Sequence, residues 1–461
     1  MKTFFDSFTP EDTLLGYSPL TSKSAMFFDA LNSADSSKRD EAIASLDVMK
    51  FKDKNDAANY IRFLESPNYY KYNVADREDL IIKFGKIQDK SVLPKLIKMY
   101  AQSGDTSNLQ FAVLDAIALQ KNSKGFKFID SIFTNEAPIP SDEDEMSDFF
   151  TDLYDTLKLS AILYPGLLKL TKYDEYKDEV NDLLVELIDS NAIKPEAYAG
   201  YKNDILREAN ETLKKLNSKE QKNQIQKNIN EEDEDDYSYG SSVSTYSEKS
   251  DLLDYATMLA PFYKEANVKS FFDKLVAVND KPTRIKTYAV LLKNKIPFAD
   301  TIFTNFAKNT ETRYELYDEL KDNKLLSAFP KQYLNQLDIA TSDLKSDDYK
   351  EDKDSVIFLE KVMVHTKSDS GWVYFFKCFI AKDKKYYLDY IGLMPADTNK
   401  VELLSLKSKN NYSLFRSYDA AEKWKESKLP EMKDKIKDKF RLSGRLRVKD
   451  PEETNSSIFD Y

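Results

Sequence analysis

The stretch Asp76–Asn135, DREDLIIKFGKIQDKSVLPKLIKMYAQSGDTSNLQFAVLDAIALQKNSKGFKFIDSIFTN, decides how this chain is built. Leu80, Ile81, Phe84 and Ile87 recur at one- and three-residue steps, and Val92, Leu93, Leu96, Ile97 and Tyr100 repeat the pattern. Each set forms one face of an α-helix. Asp76 reads as the N-cap of the first helix, with Glu78 and Asp79 in the turn where the helix dipole favours acids. Val113, Leu114 and Ile117 mark a third helix; Phe126, Ile129, Ile132 and Phe133 mark a fourth. Short polar turns separate them. Helix pairs of this size cannot bury their apolar faces alone and stack on neighbours, so the spacing predicts an α-solenoid.

Between the first two helices, GKIQDKSVLP (Gly85–Pro94) joins an apolar helix end to a short turn with Asp89 and a helix that begins near Pro94. That arrangement resembles the intra-repeat turn of HEAT-type repeats over Leu80–Ile97. The resemblance implies a mainly α fold of stacked helical pairs.

Outward from this stretch, residues 1–20 read as irregular, broken by Pro10, Gly16 and Pro19. Helices over 22–31, 36–46 (capped by Asp35) and 55–64 read as an N-terminal cap of the solenoid. Beyond Pro138 and Pro140, a helical region runs from Met146 to about Tyr173 with a break at Pro165–Gly166, followed by Val180–Ile188 and Tyr201–Leu216. The stretch 217–250 is polar, charge-blocked and then Ser/Tyr-rich. Its apolar content is too small to offset ordering entropy, which predicts a disordered linker. Helices resume at Asp251 and continue through 268–278, 282–293 with Asp280 as cap and Pro282 in the first turn, 298–308 and 312–320. Asp130–Asn135 (DSIFTN) and Asp300–Asn305 (DTIFTN) echo one another, suggesting a duplicated helical lobe on either side of the linker.

After Lys353 the period changes to that of strands. Runs over 356–366, 372–381, 385–394 and 401–407 predict an antiparallel meander, with Phe415–Tyr418 as a fifth short strand. The second run is apolar on both faces and belongs at the centre. Asp419 with Glu422 forms a capping box for a helix that covers one face. The expected fold class is mainly α: a HEAT-like α-solenoid in two lobes, then a small α+β domain with four or five strands. The expected organisation is a helical lobe over 1–216, a linker over 217–250, a second lobe over 251–345, an α+β domain over 354–440 and a tail over 441–461.

A length of 461 residues accommodates about two to four domains. The net charge of −11 argues against nucleic acid or anionic membrane as a whole-chain partner. Cys378 is the single cysteine, so no intramolecular disulfide forms. No apolar run reaches the length of a membrane span, and MKTFFDSFTPEDT has no apolar h-region, so no transmembrane helix and no signal peptide are expected in the chain as given.

Chemistry-bearing residues are sparse. His365 is the single histidine and reads as a strand-end residue, which leaves neither a metal cluster nor a His-based catalytic group. Cys378, in the most apolar strand, reads as a buried inert thiol. EEDEDD (231–236) lacks the glycine and distal Glu of an EF-hand and reads as a solvated charge run. Tyr237, Tyr239 and Tyr246 are weighed as a segment that orders on a partner, against incidental linker tyrosines. The basic segment Lys423–Lys449 is weighed as a phosphate contact, against a helix that docks Met432, Ile436 and Phe440 and leaves its lysines in water. Trp372 reads as core rather than a ligand platform. No catalytic, metal or cofactor-binding residue is assigned and no cofactor is implied.

The opening FFDSFTPEDTLLGYSPLTSKSAMFFDALNSADSSKRDEAIASL, together with the helices after it, resembles the helical region of large TraB/GumN-family proteins of Bacteroidota. The catalytic-type domain of that family carries Gly-x-x-His motifs. None occurs here, so its metallo-hydrolase chemistry does not transfer. The resemblance implies a portion of a larger exported bacterial protein, extracytoplasmic or periplasmic in that case. The function expected is a non-catalytic protein-binding or scaffold module with a protein partner. The alternative is an enzyme or small-ligand-binding protein with its site in the β-domain, drawing on Asp389 and Glu360.

Overall fold

The structure, a computed structural model, describes residues 23–51, 54–104, 106–141, 143–229, 239–346, 353–365, 370–381 and 384–401, with residues 430, 431, 433, 434 and 438. It is mainly helical, with a three-stranded antiparallel sheet towards the C-terminal side. The chain divides into two compact units, Met1–Arg207 and Glu208–Tyr461. That boundary falls inside a long helix, nine residues before the expected start of a linker at 217.

In the first unit, α1 (Ser24–Leu31), α2 (Ser36–Ala44) and α3 (Lys54–Leu64) precede α4 (Val74–Gly85) and α5 (Val92–Tyr100). They are followed by α6 (Ser107–Leu119), α7 (Ser123–Asn135), α8 (Glu143–Tyr154), the short α9 (Leu157–Ser160) and α10 (Asp174–Asp189). Asp35 caps α2 by accepting from Ser37 N at 3.0 Å. The cap of α4 is Asn73, not Asp76: Asn73 Oδ1 accepts from Asp76 N at 2.8 Å, and the helix starts at Val74. Asn is as good a cap as Asp, so the earlier residue takes the role and leaves Asp76 in the first turn, where the dipole still favours it.

The packing order in this unit is regular. Helix α4 packs on α6, α6 on α8, and α8 on α10, while α5 and α7 each flank α6. Helix α6 is therefore enclosed, with Leu109 and Phe111–Ala118 all buried. Its contact with α4 is close because Gly85 lies directly against Ala116, with no room for a side-chain carbon. Gln120 Nε2 holds the turn after α4 by donating to the carbonyls of Gly85 (2.5 Å) and Ile87 (2.8 Å), and Gln88 Nε2 returns a bond to Leu119 O at 3.1 Å. Rings of Phe27, Phe28, Phe51, Tyr60 and Phe84 pack edge to face or tilted around the first helices.

In the second unit, α11 (Lys202–Ile229) and α12 (Tyr239–Leu259) run through most of the stretch expected to be a linker; residues 230–238 between them lie outside the described residues. Composition underweighted two effects. Glu, Lys and Gln are strong helix formers, and the helices are tied by ion pairs from Lys219 to Glu248 (2.7 Å) and from Lys249 to Asp280 (2.6 Å), above a core that takes in Leu213, Leu216, Leu252 and Ala256. Next come α13 (Ala266–Leu275), α14 (Lys281–Lys293), α15 (Thr301–Lys308) and α16 (Arg313–Asp322), then α17 (Gln336–Ser346). Asp280 caps α14, accepting from Thr283 N at 2.9 Å and from its hydroxyl at 2.6 Å. Again alternate helices meet, α12 on α14 and α14 on α16.

The two copies of the DSIFTN/DTIFTN echo stand at different ends of their helices. Asp130–Asn135 ends α7, whereas Asp300 precedes α15 and the rest of its copy starts that helix. Both copies are helical and share one burial order, with Phe133 and Phe303 buried between half-buried neighbours and exposed outer residues.

The sheet consists of β1 (Ser355–His365), β2 (Ser370–Ile380) and β3 (Lys385–Pro395) in the order β1-β2-β3, with β2 central as its two apolar faces require. Trp372, Tyr374, Phe376, Cys378 and Ile380 pack towards α17 with Ala340, Leu344, Tyr387, Ile391 and Met394. The opposite face buries Val373 and Phe375 with Val364, Leu388, Tyr390 and Leu393. The covering helix on the first face is α17, which precedes the sheet. The expected strands at 401–407 and 415–418, and the expected helix at Asp419, lie outside the described residues, except that Val401 is buried.

Candidate functional site

Among the described residues, the buried charges include two places with a carboxylate deep in the core. The first is in the first unit, where Asp115 interrupts the apolar run FAVLDAIAL of α6. Only 7 % of Asp115 is exposed, and its Oδ1 has no hydrogen-bond partner. Burial pushes its carboxyl well above the usual range, and the carboxylates of Asp152, Asp148 and Glu145 push it further. Those three residues stand at i, i+3 and i+7 on α8, with Glu145 and Asp152 half-buried and Asp148 exposed. Glu145 is anchored there, accepting from Ser107 Oγ (2.8 Å) and Ser141 N (2.8 Å). Burial also raises Asp152, with Asp155 adding and Lys86 opposing. The arrangement favours a bound proton; among the described residues no three His, Cys, Asp or Glu side chains are grouped to hold a metal ion.

The second place lies between α17 and the sheet. Asp389 sits mid-strand on β3, paired across to Phe376 and flanked on its own face by Tyr387 and Ile391. Lys353, just before β1, reaches under the helix: its Nζ is 2.9 Å from Asp389 Oδ2 and donates to Leu344 O at 3.0 Å. Both side chains are almost wholly buried, 5 % and 3 % exposed. Cys378 shares this face. Burial raises its thiol pKa strongly, Asp389 raises it further and Lys353 opposes them, so the group is an S–H and not a thiolate. Beside this pair, Gln336 holds the chain after β3. Its Nε2 donates to the carbonyls of Pro395 (2.9 Å), Asp397 (3.3 Å) and Lys400 (2.7 Å), and its Oε1 accepts from Tyr374 Oη (2.8 Å).

The residues singled out in the sequence are scattered. Glu360 lies opposite Phe375 in the register, whereas Asp389 lies opposite Phe376. Neighbouring strand residues point to opposite faces, so the two carboxylates are separated by the sheet. Glu360 is paired with Lys433, whose Nζ also lies 5.9 Å from the Phe375 ring centroid. One lysine of the basic segment is thus spent on the sheet; Met432, Ile436 and Phe440 lie outside the described residues. His365 closes β1, with its Nδ1 2.7 Å from Ser370 Oγ across the hairpin, both exposed. Trp372 donates from Nε1 to Ala396 O at 3.2 Å and carries Lys361 Nζ 4.5 Å from its ring. The acidic run 231–236 and Tyr237 lie outside the described residues, Tyr239 begins α12, and Tyr246 is exposed on it.

Asp115 and Lys353 were not read from the sequence as functional. A lone acid among eight apolar helix residues is the available signal for Asp115. Lys353 carried none, because its partner is 36 residues away and one of many acids. No helix among the described residues is long and apolar enough to cross a membrane. No family model, curated protein or solved structure matches the chain.

Proposed function

We propose that the chain is a non-catalytic protein-binding or scaffold module whose helical pairs stack as a HEAT-like α-solenoid. The observation that carries this reading is the packing of alternate helices, α4 on α6, α6 on α8 and α8 on α10, with α5 and α7 set to the side. Helices that meet every second neighbour are what stacked hairpin repeats produce, and such stacks present long surfaces to partners. The Gly85–Gln120 junction supports it, since a turn bonded into the next pair fixes the repeat-to-repeat step. Exposed side chains of the kind that anchor interfaces stand on this unit: Tyr70 is 67 % exposed and Tyr173 is 48 % exposed. The proposal extends to a fourth strand at 401–407 beside β3, supported by the near-complete burial of β3 and by the chain reversal that Gln336 holds. It also extends to a place in a larger exported bacterial protein, on the resemblance of the opening residues.

The rival, an enzyme with its site in the β-domain, has less support. Its two candidate carboxylates lie on opposite faces, and Asp389 is sealed from solvent by α17. The test uses the full chain as bait in native extract, beside a Tyr70→Ser/Tyr173→Ser variant. A protein that binds again when purified, and binds the variant at least tenfold more weakly at unchanged melting temperature, supports the module. No reproducible partner, with turnover in a substrate screen, overturns it.

A further inference from the structure

The charge of the chain is not spread evenly. Residues 136–189 hold fifteen acidic residues against four lysines, a surplus as large as that of all 461 residues together. Most of these acids stand on α8 and α10. On α10, Glu175, Asp178, Asp182, Glu186 and Asp189 recur at steps of three and four residues, and all five are exposed. They form one stripe about 21 Å long, while the opposite face of the helix is buried. Helix α8, which packs on α10, adds Asp148 and, just past its end, Asp155, both exposed. Among the described residues no ion pair joins Glu175, Asp178, Glu186, Asp148 or Asp155 to a cation. Like charges at these spacings repel, so the face is costly until something neutralises it.

Two further observations point to a ligand. Asp115 of α6, on which α8 packs, is 7 % exposed with Oδ1 unpartnered, and it faces Asp152 and Asp148. A buried acceptor left open beside carboxylates is a place for a donor that the chain does not itself supply. At the head of the α10 stripe, Tyr176 Oη donates to Pro138 O and ties the loop 136–140 to the first turn. Ile139 of that loop is 83 % exposed and Tyr173 is 48 % exposed. Exposed apolar side chains beside a charged stripe are what an interface anchor with a polar rim requires.

We propose that the acidic face of α8 and α10, with Asp115 behind it, docks a basic segment of a partner protein that carries lysines or arginines at helical spacing. The proposal rests on the reading of the chain as a binding module and names the chemistry of its partner. The stripe is too long for a single ion, and among the described residues no three acids are grouped to hold a metal. Nucleic acids and anionic membranes present phosphate, which this face repels. A helix with one cation per turn matches carboxylates that recur about every 5.4 Å along α10. Complementary charge of this kind selects the partner and sets its register.

The test is fluorescence anisotropy of a labelled synthetic peptide titrated with the full chain at physiological salt. The peptide is a helix former of about 18 residues, alanine and leucine with lysine once per turn, long enough to span the stripe. The same peptide with glutamate for lysine is the control. The lysine peptide should bind and the glutamate peptide should not. Glu175→Gln/Asp178→Asn/Glu186→Gln should weaken the lysine peptide about tenfold without lowering the melting temperature, and Asp115→Asn should weaken it while raising that temperature. Asp29→Asn/Asp40→Asn/Glu41→Gln removes as much charge from exposed positions of α1 and α2 and should change the affinity less than about twofold. No binding of the lysine peptide, an affinity unchanged in the α10 variant or in Asp115→Asn, or an equal loss in the α1–α2 variant overturns the proposal. The binding-module reading fails separately: a partner from native extract that binds the α10 variant as well as the parent leaves the module standing and removes this surface.

Discussion

Replacing Asp115 with Asn should stabilise the first unit at neutral pH. The carboxyl lies inside α6, 7 % exposed, with Oδ1 unpartnered and no cation among the charges that act on it most. A buried polar group left unsatisfied costs about 1–3 kcal/mol. Asn keeps the shape and removes the charge that Asp152, Asp148 and Glu145 oppose. For a unit of this size, about 2–4 °C of melting temperature accompanies each kcal/mol, so the gain should be about 2–12 °C at pH 7. The pH dependence has a definite sign. The folded-state pKa of Asp115 is raised, so its proton is held more tightly in the folded state. Its contribution is fully present below the unfolded value of about 3.9 and is lost as pH rises through the folded value. The variant lacks that loss. The two proteins should therefore melt alike near pH 4 and diverge as pH rises, with Asp115→Asn the more stable. Calorimetry across pH 4–8, with hydrogen exchange on α6 and α8 peptides, reads both effects. A variant less stable than the parent at pH 7, with reduced protection in α6, would refute the reasoning, since it would mean that the carboxylate makes favourable bonds.

Gly85→Ala should cost about 1–3 kcal/mol by overpacking against Ala116, while Gly200→Ala, at a site with open space, should stay within about 0.5 kcal/mol; denaturant melts of the pair check this. Gln336→Ala should cost about 2–4 kcal/mol, because the carbonyls after β3 and the Tyr374 hydroxyl lose a shared partner, and exchange protection at residues 395–400 should fall with it. Cys378 should resist maleimide in the folded protein and react fully in denaturant, as burial and Asp389 keep it protonated; rapid labelling under native conditions would contradict its placement.

The fold was legible where one periodicity ruled. The apolar stripes of α4–α7 and the doubly apolar β2 gave element type and position, because burial on one face or two imposes those patterns. Capping by Asp35 and Asp280 was equally legible, being local chemistry. The helices within 217–250 are not legible in composition, because weak amphipathicity in Lys202–Ile229 hides a helix whose support comes from ion pairs to Glu248 and, through α12, to Asp280. Those contacts are set by tertiary structure. The same limit applies to the buried charges: Asp389 could be singled out within YYLDYIGLM, but neither its face nor its partner Lys353 follows from spacing. The echo of DSIFTN fixes a buried phenylalanine in each copy but not its place in a helix, since one copy ends its helix and the other begins one.

The most direct test of the binding-module reading is hydrogen-exchange footprinting of the full chain with and without the protein partner recovered from native extract. Stacked repeats acting as the binding surface predict new protection on exposed positions of α4–α10 and none on β1–β3. Protection confined to the sheet and α17, or catalytic turnover with the helices unchanged, would contradict it.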